Sequence, residues 1–182
     1  MKSKIKVLIQ PIGEIRKEII RKLAQELNEK LNLFNTSISS KIIPIPKEAF
    51  NPLRKQYYSP IIMKELYLRT NSKDYDKVLG IIDRDLYVKG LNFIFGEAQL
   101  GGKYAIISIH RLKPQFYGQL PNEQLFLERM LKEAVHEIGH TIGLKHCRNK
   151  YCVMHFSNNI LDTDIKGYKF CEKCLAKIFK LL

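Results

Sequence analysis

The chain has 182 residues, 45% of them hydrophobic, and carries 31 Lys and Arg against 18 Asp and Glu for a formal net charge of +13. Length over ~150 predicts about one domain, the composition is that of a globular rather than a disordered chain, and no apolar run approaches the ~18 residues of a membrane span. The basic residues are spread from Lys2 to Lys180 rather than blocked. The charge therefore reads as a solvated surface with a modest bias toward anionic partners, not as a nucleic-acid footprint.

Residues 4–10 predict a first strand, with Ile5, Val7 and Ile9 on one face and Pro11 as its end. Lysines alternate with these residues and no small-residue cleavage site follows, so the stretch is not read as a signal peptide. The expected location is the cytoplasm, where reduced cysteines bind metal more readily than they form disulfides. A helix from about Gly13 carries Ile15, Ile19, Leu23, Leu27 and Leu31 at four-residue spacing, and residues 37–45 predict a second strand, broken by Pro44 and Pro46. Strand, helix, strand predicts a parallel, right-handed crossover unit.

Residues 50–59 read as irregular, and Pro60 opens a second helix through Leu68 with Ile61, Ile62, Met63, Leu66 and Leu68 as buried candidates. Residues 78–82 predict a third strand, turned by Asp83 and Asp85 at positions that favour Asp without any catalytic role. Residues 93–95 and 104–109 read as further strands, separated by Gly101 and Gly102, and His110 reads as a surface residue. Residues 114–121 form a loop, after which Asn122 is placed as the N-cap of a long helix with Glu123 in its first turn.

That helix carries the chemistry. Residues 135–146 read V-H-E-I-G-H-T-I-G-L-K-H. His136 and His140, four apart, project from one helical face and can share a metal ion with Glu137 beside them. Gly143 can leave the helix in a left-handed conformation and bring His146 to the same ion. Three neutral imidazoles leave a fourth tetrahedral position for water, the mark of a catalytic zinc, and Glu137 is then the general base. Leu127, Met130, Leu131, Ala134, Ile138 and Ile142 form an apolar stripe opposite the two histidines, which argues against core histidines.

Cys147 and Cys152 enclose four residues and Cys171 and Cys174 enclose two, spacings that suit a closed structural Cys₄ zinc; two disulfides are the competing reading. The expected cofactors are thus two zinc ions, one on His136, His140 and His146 and one on Cys147, Cys152, Cys171 and Cys174. A structural zinc can contribute on the order of 10 kcal/mol to ordering so short a segment. The clamp would tie it to a final helix whose Leu175, Ile178, Phe179 and Leu182 pack back on the domain.

The run H-E-I-G-H-T-I-G-L-K-H from His136 resembles the metzincin signature of zinc endopeptidases. With Cys147, Cys152, Met154, Cys171 and Cys174 it is similar to the archaemetzincin family in particular. The resemblance implies that Met154 forms a turn beneath the zinc, where a thioether packs as a soft apolar floor rather than as a ligand. It implies an α/β, zincin-like mixed twisted sheet with crossover helices, an active-site helix and a small zinc-clamped C-terminal part. It also implies an antiparallel edge strand along the cleft, from residues 93–95 or 104–109, to which an extended peptide can add. The expected organisation is a single domain over residues 1–182, with residues 1–143 above the cleft and 144–182 below it. The expected function is a monomeric zinc peptidase acting on unstructured polypeptide, with no membrane or nucleic-acid partner. The alternative is a zinc-containing binding module for nucleic acid or protein, with little hydrolysis.

Overall fold

The computed structural model describes residues 4–181. Strand β1 (Ile5–Ile12) is followed by helix α1 (Lys17–Lys30) and strand β2 (Phe34–Ile38), and β1 and β2 pair in parallel. The parallel pairing is as expected, but β2 begins earlier than residue 37 and ends at Ile38, well short of residue 45. Pro11 does not end β1 either. Ile5, Ile9 and Pro11 present their hydrogen-bonding groups to the β2 side, where the ladder with β2 stops at Ile9. Its missing N–H therefore costs no ladder bond, and the Pro11 carbonyl is used by Ile43.

Residues 50–59 are more ordered than expected. Strands β3 (Phe50–Asn51) and β4 (Gln56–Tyr58) form a small antiparallel hairpin, extended by β6 (Leu86–Tyr87) into a second sheet. Helix α2 (Ser59–Arg69) buries Ile62, Met63 and Leu66 but leaves Leu68 61% exposed, since it rests on the sheet by one narrow stripe. Strand β5 (Lys77–Ile82) pairs in parallel with β1 and with β8 (Tyr104–Ser108), and β7 (Gly96–Ala98) pairs antiparallel with β8. The main sheet has the order β2-β1-β5-β8-β7, mixed and with β7 at one edge.

The edge strand is thus neither of the two candidates. Strand β8 is internal, and residues 93–95 precede β7: Ile94 bridges to Leu86, and the Phe95 carbonyl accepts from the Ser108 amide of β8 at 2.8 Å. The side chains of Phe93 and Phe95 pack edge-to-face on one another.

Helix α3 (Glu123–Ile142) lies on the face of the sheet shared with α1. Asn122 caps it as expected, its Oδ1 accepting from the Leu125 amide at 2.9 Å. The C-terminal segment adds α4 (Ile160–Ile165) and α5 (Glu172–Leu181). Val153, Met154, Ile160, Phe170 and Ile178 from that segment join one continuous apolar cluster with Ile5, Val7, Leu79, Ile107 and Ile138. Ile178 is fully buried, Leu175 is partly buried and Phe179 is about half exposed, while Leu182 lies outside the described residues.

Candidate active site

From Arg129 onward α3 is buried on nearly every side, including Arg129, Lys132, Glu133, His136 and Glu137. The polar face opposite the apolar stripe is not solvent. It forms one wall of a cleft of about 890 Å³, and the C-terminal segment covers the rest of it. His136, Glu137, His140 and His146 line this cleft beneath β7 together with Phe156, Ser157 and Asn158, and the Phe156 ring lies 4.9 Å from that of His146.

Gly143 ends α3 with φ of 111°, and its amide and that of Leu144 close on the His140 and Gly139 carbonyls. This turn delivers His146, as the sequence requires. The candidate ligand atoms of His136, His140 and His146 all lie within 4.8 Å of one another.

The hydrogen bonds fix the tautomers of the two helical histidines. Nδ1 of His136 is 2.7 Å from the Val153 carbonyl and Nδ1 of His140 is 2.7 Å from the Leu144 carbonyl. A carbonyl only accepts, so each Nδ1 carries the hydrogen and each neutral ring presents a bare Nε2 lone pair. The two Nε2 atoms are 3.0 Å apart. Burial, with the Lys166 and His140 charges, holds His136 well below the ordinary histidine range, and burial likewise lowers His140 and His146. Two lone pairs facing each other at this distance repel unless a cation lies between them. The spacing is close to the ~3.3 Å that two ligands at Zn–N ≈ 2.0–2.1 Å subtend at a tetrahedral centre. These residues fit zinc.

Glu137 is 5% exposed, next to His136, and its carboxylate is directed under Gly96 of the edge strand. Burial pushes its carboxyl well above the ordinary range, helped by the Glu133 and Glu97 charges and opposed by Lys166. A cation on the imidazoles would pull it back toward ionisation. The cleft carries Glu97, Glu133 and Glu137 against Lys145, so the molecule's net positive charge does not extend to its lining.

Met154 is fully buried in the turn after His146, and its carbonyl accepts from the Cys147 amide at 2.9 Å. Its sulfur packs against the α3 backbone at Gly139, where a β-carbon would collide with it. Neither Gly139 nor Gly96 is marked by the ligand spacing in the sequence. Gly139 lies inside the histidine motif at a position the ligand spacing leaves free, and Gly96 carries no motif that marks it in the sequence.

The four cysteines are free thiols whose sulfurs all lie within 4.8 Å of one another. Cys147 to Cys171 and Cys152 to Cys174 are each 3.8 Å apart, far from the ~2.05 Å of a disulfide. The value matches the ~3.8 Å edge of a tetrahedron with Zn–S ≈ 2.3 Å. Burial disfavours a Cys171 thiolate, but hydrogen bonds from the Cys174 amide and the neighbouring thiols outweigh it and bring its pKa to about 7. Cys174 is pushed up, by burial and then by the Cys152 charge. One thiolate forms easily and further ones need a cation, which suits a metal cage. Cys147 and His146, adjacent in sequence, serve different clusters.

Asp83 and Asp85 take no part in the cleft lining. Asp83 holds Lys113 at 2.6 Å and Asp85 holds Arg111 in a two-pronged pair at 2.7 Å, latching the turn after β5 to the segment before α3. His110 is a half-buried neighbour of Asp83 at 3.8 Å, outside both clusters.

Residues 2–180 match the family model described as Peptidase family M54. The chain is 45% identical over 174 residues to the archaemetzincin of Methanocaldococcus jannaschii, covering 96% of this chain and 93% of that one. It is 41% identical over 175 residues to the archaemetzincin of Pyrococcus furiosus, covering 94% and 91%. Among solved structures it resembles archaemetzincin from Methanopyrus kandleri, with TM-score 0.84, 33% identity and coverage of 99% and 96%. It also resembles the Archaeoglobus fulgidus archaemetzincin complexed with malonate, with TM-score 0.81, 37% identity and coverage of 95% and 99%. The α/β fold and these relationships define a zinc metallopeptidase. Within that class the chain belongs to Peptidase family M54, and its resemblance to archaemetzincins extends over almost its whole length. Its substrates are therefore peptides, and no described helix is long and apolar enough to cross a membrane.

Proposed function

We propose that the protein hydrolyses peptide bonds at a zinc ion held by His136, His140 and His146, with Glu137 as general base, and that a second zinc on Cys147, Cys152, Cys171 and Cys174 is structural. The observation that carries the first part is the pair of Nε2 atoms 3.0 Å apart, each made a lone-pair donor by a carbonyl bond on the far side of its ring.

Zinc bound there supplies Lewis acidity, lowering the pKa of a bound water to about 7 and polarising a peptide carbonyl. Glu137 does the proton work. Its carboxylate takes a proton from the attacking water and returns it to the departing amine, a role for which a raised pKa is an advantage, since the same group must both accept and release. Burial beneath β7 keeps bulk water from competing for that proton. The free edge of β7 offers backbone donors and acceptors to an extended peptide, aligning the chain over Glu137. A folded substrate would have to unpair its own backbone first, so unstructured polypeptide is the expected substrate.

The cysteine site holds residue 147, directly after the His146 turn, to the start of α5. Residues 1–143 and 144–182 would then act as the upper and lower parts of one domain, working as a monomer in the cytoplasm. Digestion of an unstructured peptide mixture, read by mass spectrometry, tests the activity: the zinc-loaded protein should cleave and the chelated protein should not. Equal cleavage by both would contradict it.

A further inference from the structure

Beneath the cleft lies an ion pair that the hydrolytic scheme does not use. Lys166 Nζ is 2.9 Å from Glu133 Oε1, with side chains 0% and 3% exposed. So deeply buried a pair gains little over two apolar residues of the same volume, because removing both charges from water offsets their attraction. Stability alone does not account for it, and its position does.

Glu133 is one turn before Glu137 on α3 and lines the cleft with it. The same Oε1 also accepts from Thr163 Oγ1 at 3.1 Å. Lys166 Nζ reaches on to the carbonyl of His155, the residue after Met154, at 3.5 Å. One carboxylate thus joins the helix bearing His136, Glu137 and His140 to both ends of residues 155–166, the segment whose Phe156, Ser157 and Asn158 also line the cleft, Phe156 with its ring 4.9 Å from that of His146. The other links between these elements lie outside the cleft lining: Arg129 grips Asp164 through two 2.7 Å bonds, and Lys132 donates to the Asp164 carbonyl at 3.0 Å.

We propose that Glu133 and Lys166 are positioning residues of the peptidase site, a buried ion pair that sets the separation and alignment of the helix bearing Glu137 and the wall of Phe156, Ser157 and Asn158. The pair does not touch the scissile bond. It acts by holding the two walls at the spacing in which a bound peptide meets Glu137. This inference rests on the hydrolytic reading above.

The test replaces both members together, Glu133→Met with Lys166→Met, so that no charge is left unpaired. The variant should fold with a melting temperature at or above that of the parent and retain both zinc ions. Its kcat on an unstructured peptide should fall about 10- to 100-fold, the scale of a small misplacement at a reacting centre, with KM changed less than about threefold. An adhesive role alone would leave kcat untouched once folding is restored. Should the double variant fail to fold, Thr163→Val removes one bond to Glu133 without unpairing a charge and should lower kcat about two- to fivefold at unchanged melting temperature. Parent-like kcat in whichever variant folds, or loss of zinc from the histidines in the double variant, overturns the proposal. An inactive zinc-loaded parent would instead overturn the hydrolytic reading, so the two failures are distinguishable.

Discussion

A β-carbon built on Gly96 would lie 2.5 Å from Oε1 of Glu137 and 2.6 Å from its Cγ. The edge strand and helix α3 approach so closely that the strand must present no side chain at this point. Gly96→Ala should therefore move the Glu137 carboxylate rather than the strand, because the end of a side chain yields before a hydrogen-bonded backbone does. The expected result is a loss of about 10²-fold in kcat, with zinc content and melting temperature close to those of the parent. Parent-like turnover would show that Glu137 reaches its working position by another route.

Gly139 makes the corresponding contact with Met154. Its added β-carbon would overlap the Met154 sulfur and come within 3.1 Å of Phe170 Cε1, inside a fully buried turn. Overpacking of this kind typically costs about 1–3 kcal/mol. Gly139→Ala should lower the melting temperature clearly, while the volume-conserving Met154→Leu should cost less than about 1.5 kcal/mol. Denaturation of the two variants side by side checks the ranking.

Two zinc ions of unequal lability are expected per chain. Three imidazoles with an open position should yield metal to a mild chelator before a closed set of four thiolates does. Elemental analysis during chelation should show a first ion lost with the fold intact and a second lost only with unfolding. Cys171→Ser should lower the melting temperature strongly. A single zinc per chain in fully reduced protein would contradict the two-site account.

Acid sensitivity should follow Asp83. Burial works against its carboxylate, but His110 nearby and the hydrogen-bonded Lys113 ammonium outweigh that, and its pKa falls below the ordinary 3.8. A carboxyl depressed on folding adds stability that is fully present above its unfolded pKa and is lost as pH falls through the lower folded one. Asp83→Asn should thus cost stability near pH 6 and progressively less below about pH 4. Parallel melting curves for parent and variant across that range would show that the latch does not titrate.

The histidine motif and the cysteine pairs were legible because their information is local: four residues make a turn of α3, Gly143 ends it, and ligand spacing is written in the chain. Asn122 was legible for the same reason. The edge strand was not. Phe93 and Phe95 have the better strand propensity, yet β7 forms at Gly96–Ala98, where proximity to Glu137 demands a glycine that propensity would reject. The surroundings of His136 were also hidden. Helical periodicity separates the apolar stripe from the polar face, but only the returning C-terminal segment determines that both are buried. Glu133 and Lys166, 33 residues apart, carry no local sign of their pairing.

The kinetics of zinc-loaded Glu137→Gln test the proposed hydrolysis most directly. This change keeps the shape of the side chain and all three histidines while removing the group that moves the proton. The variant should retain the zinc content and melting temperature of the parent and cleave an unstructured peptide about 10² to 10⁴ times more slowly. Cleavage at the parent's rate, in protein shown to hold the same zinc, would contradict the account.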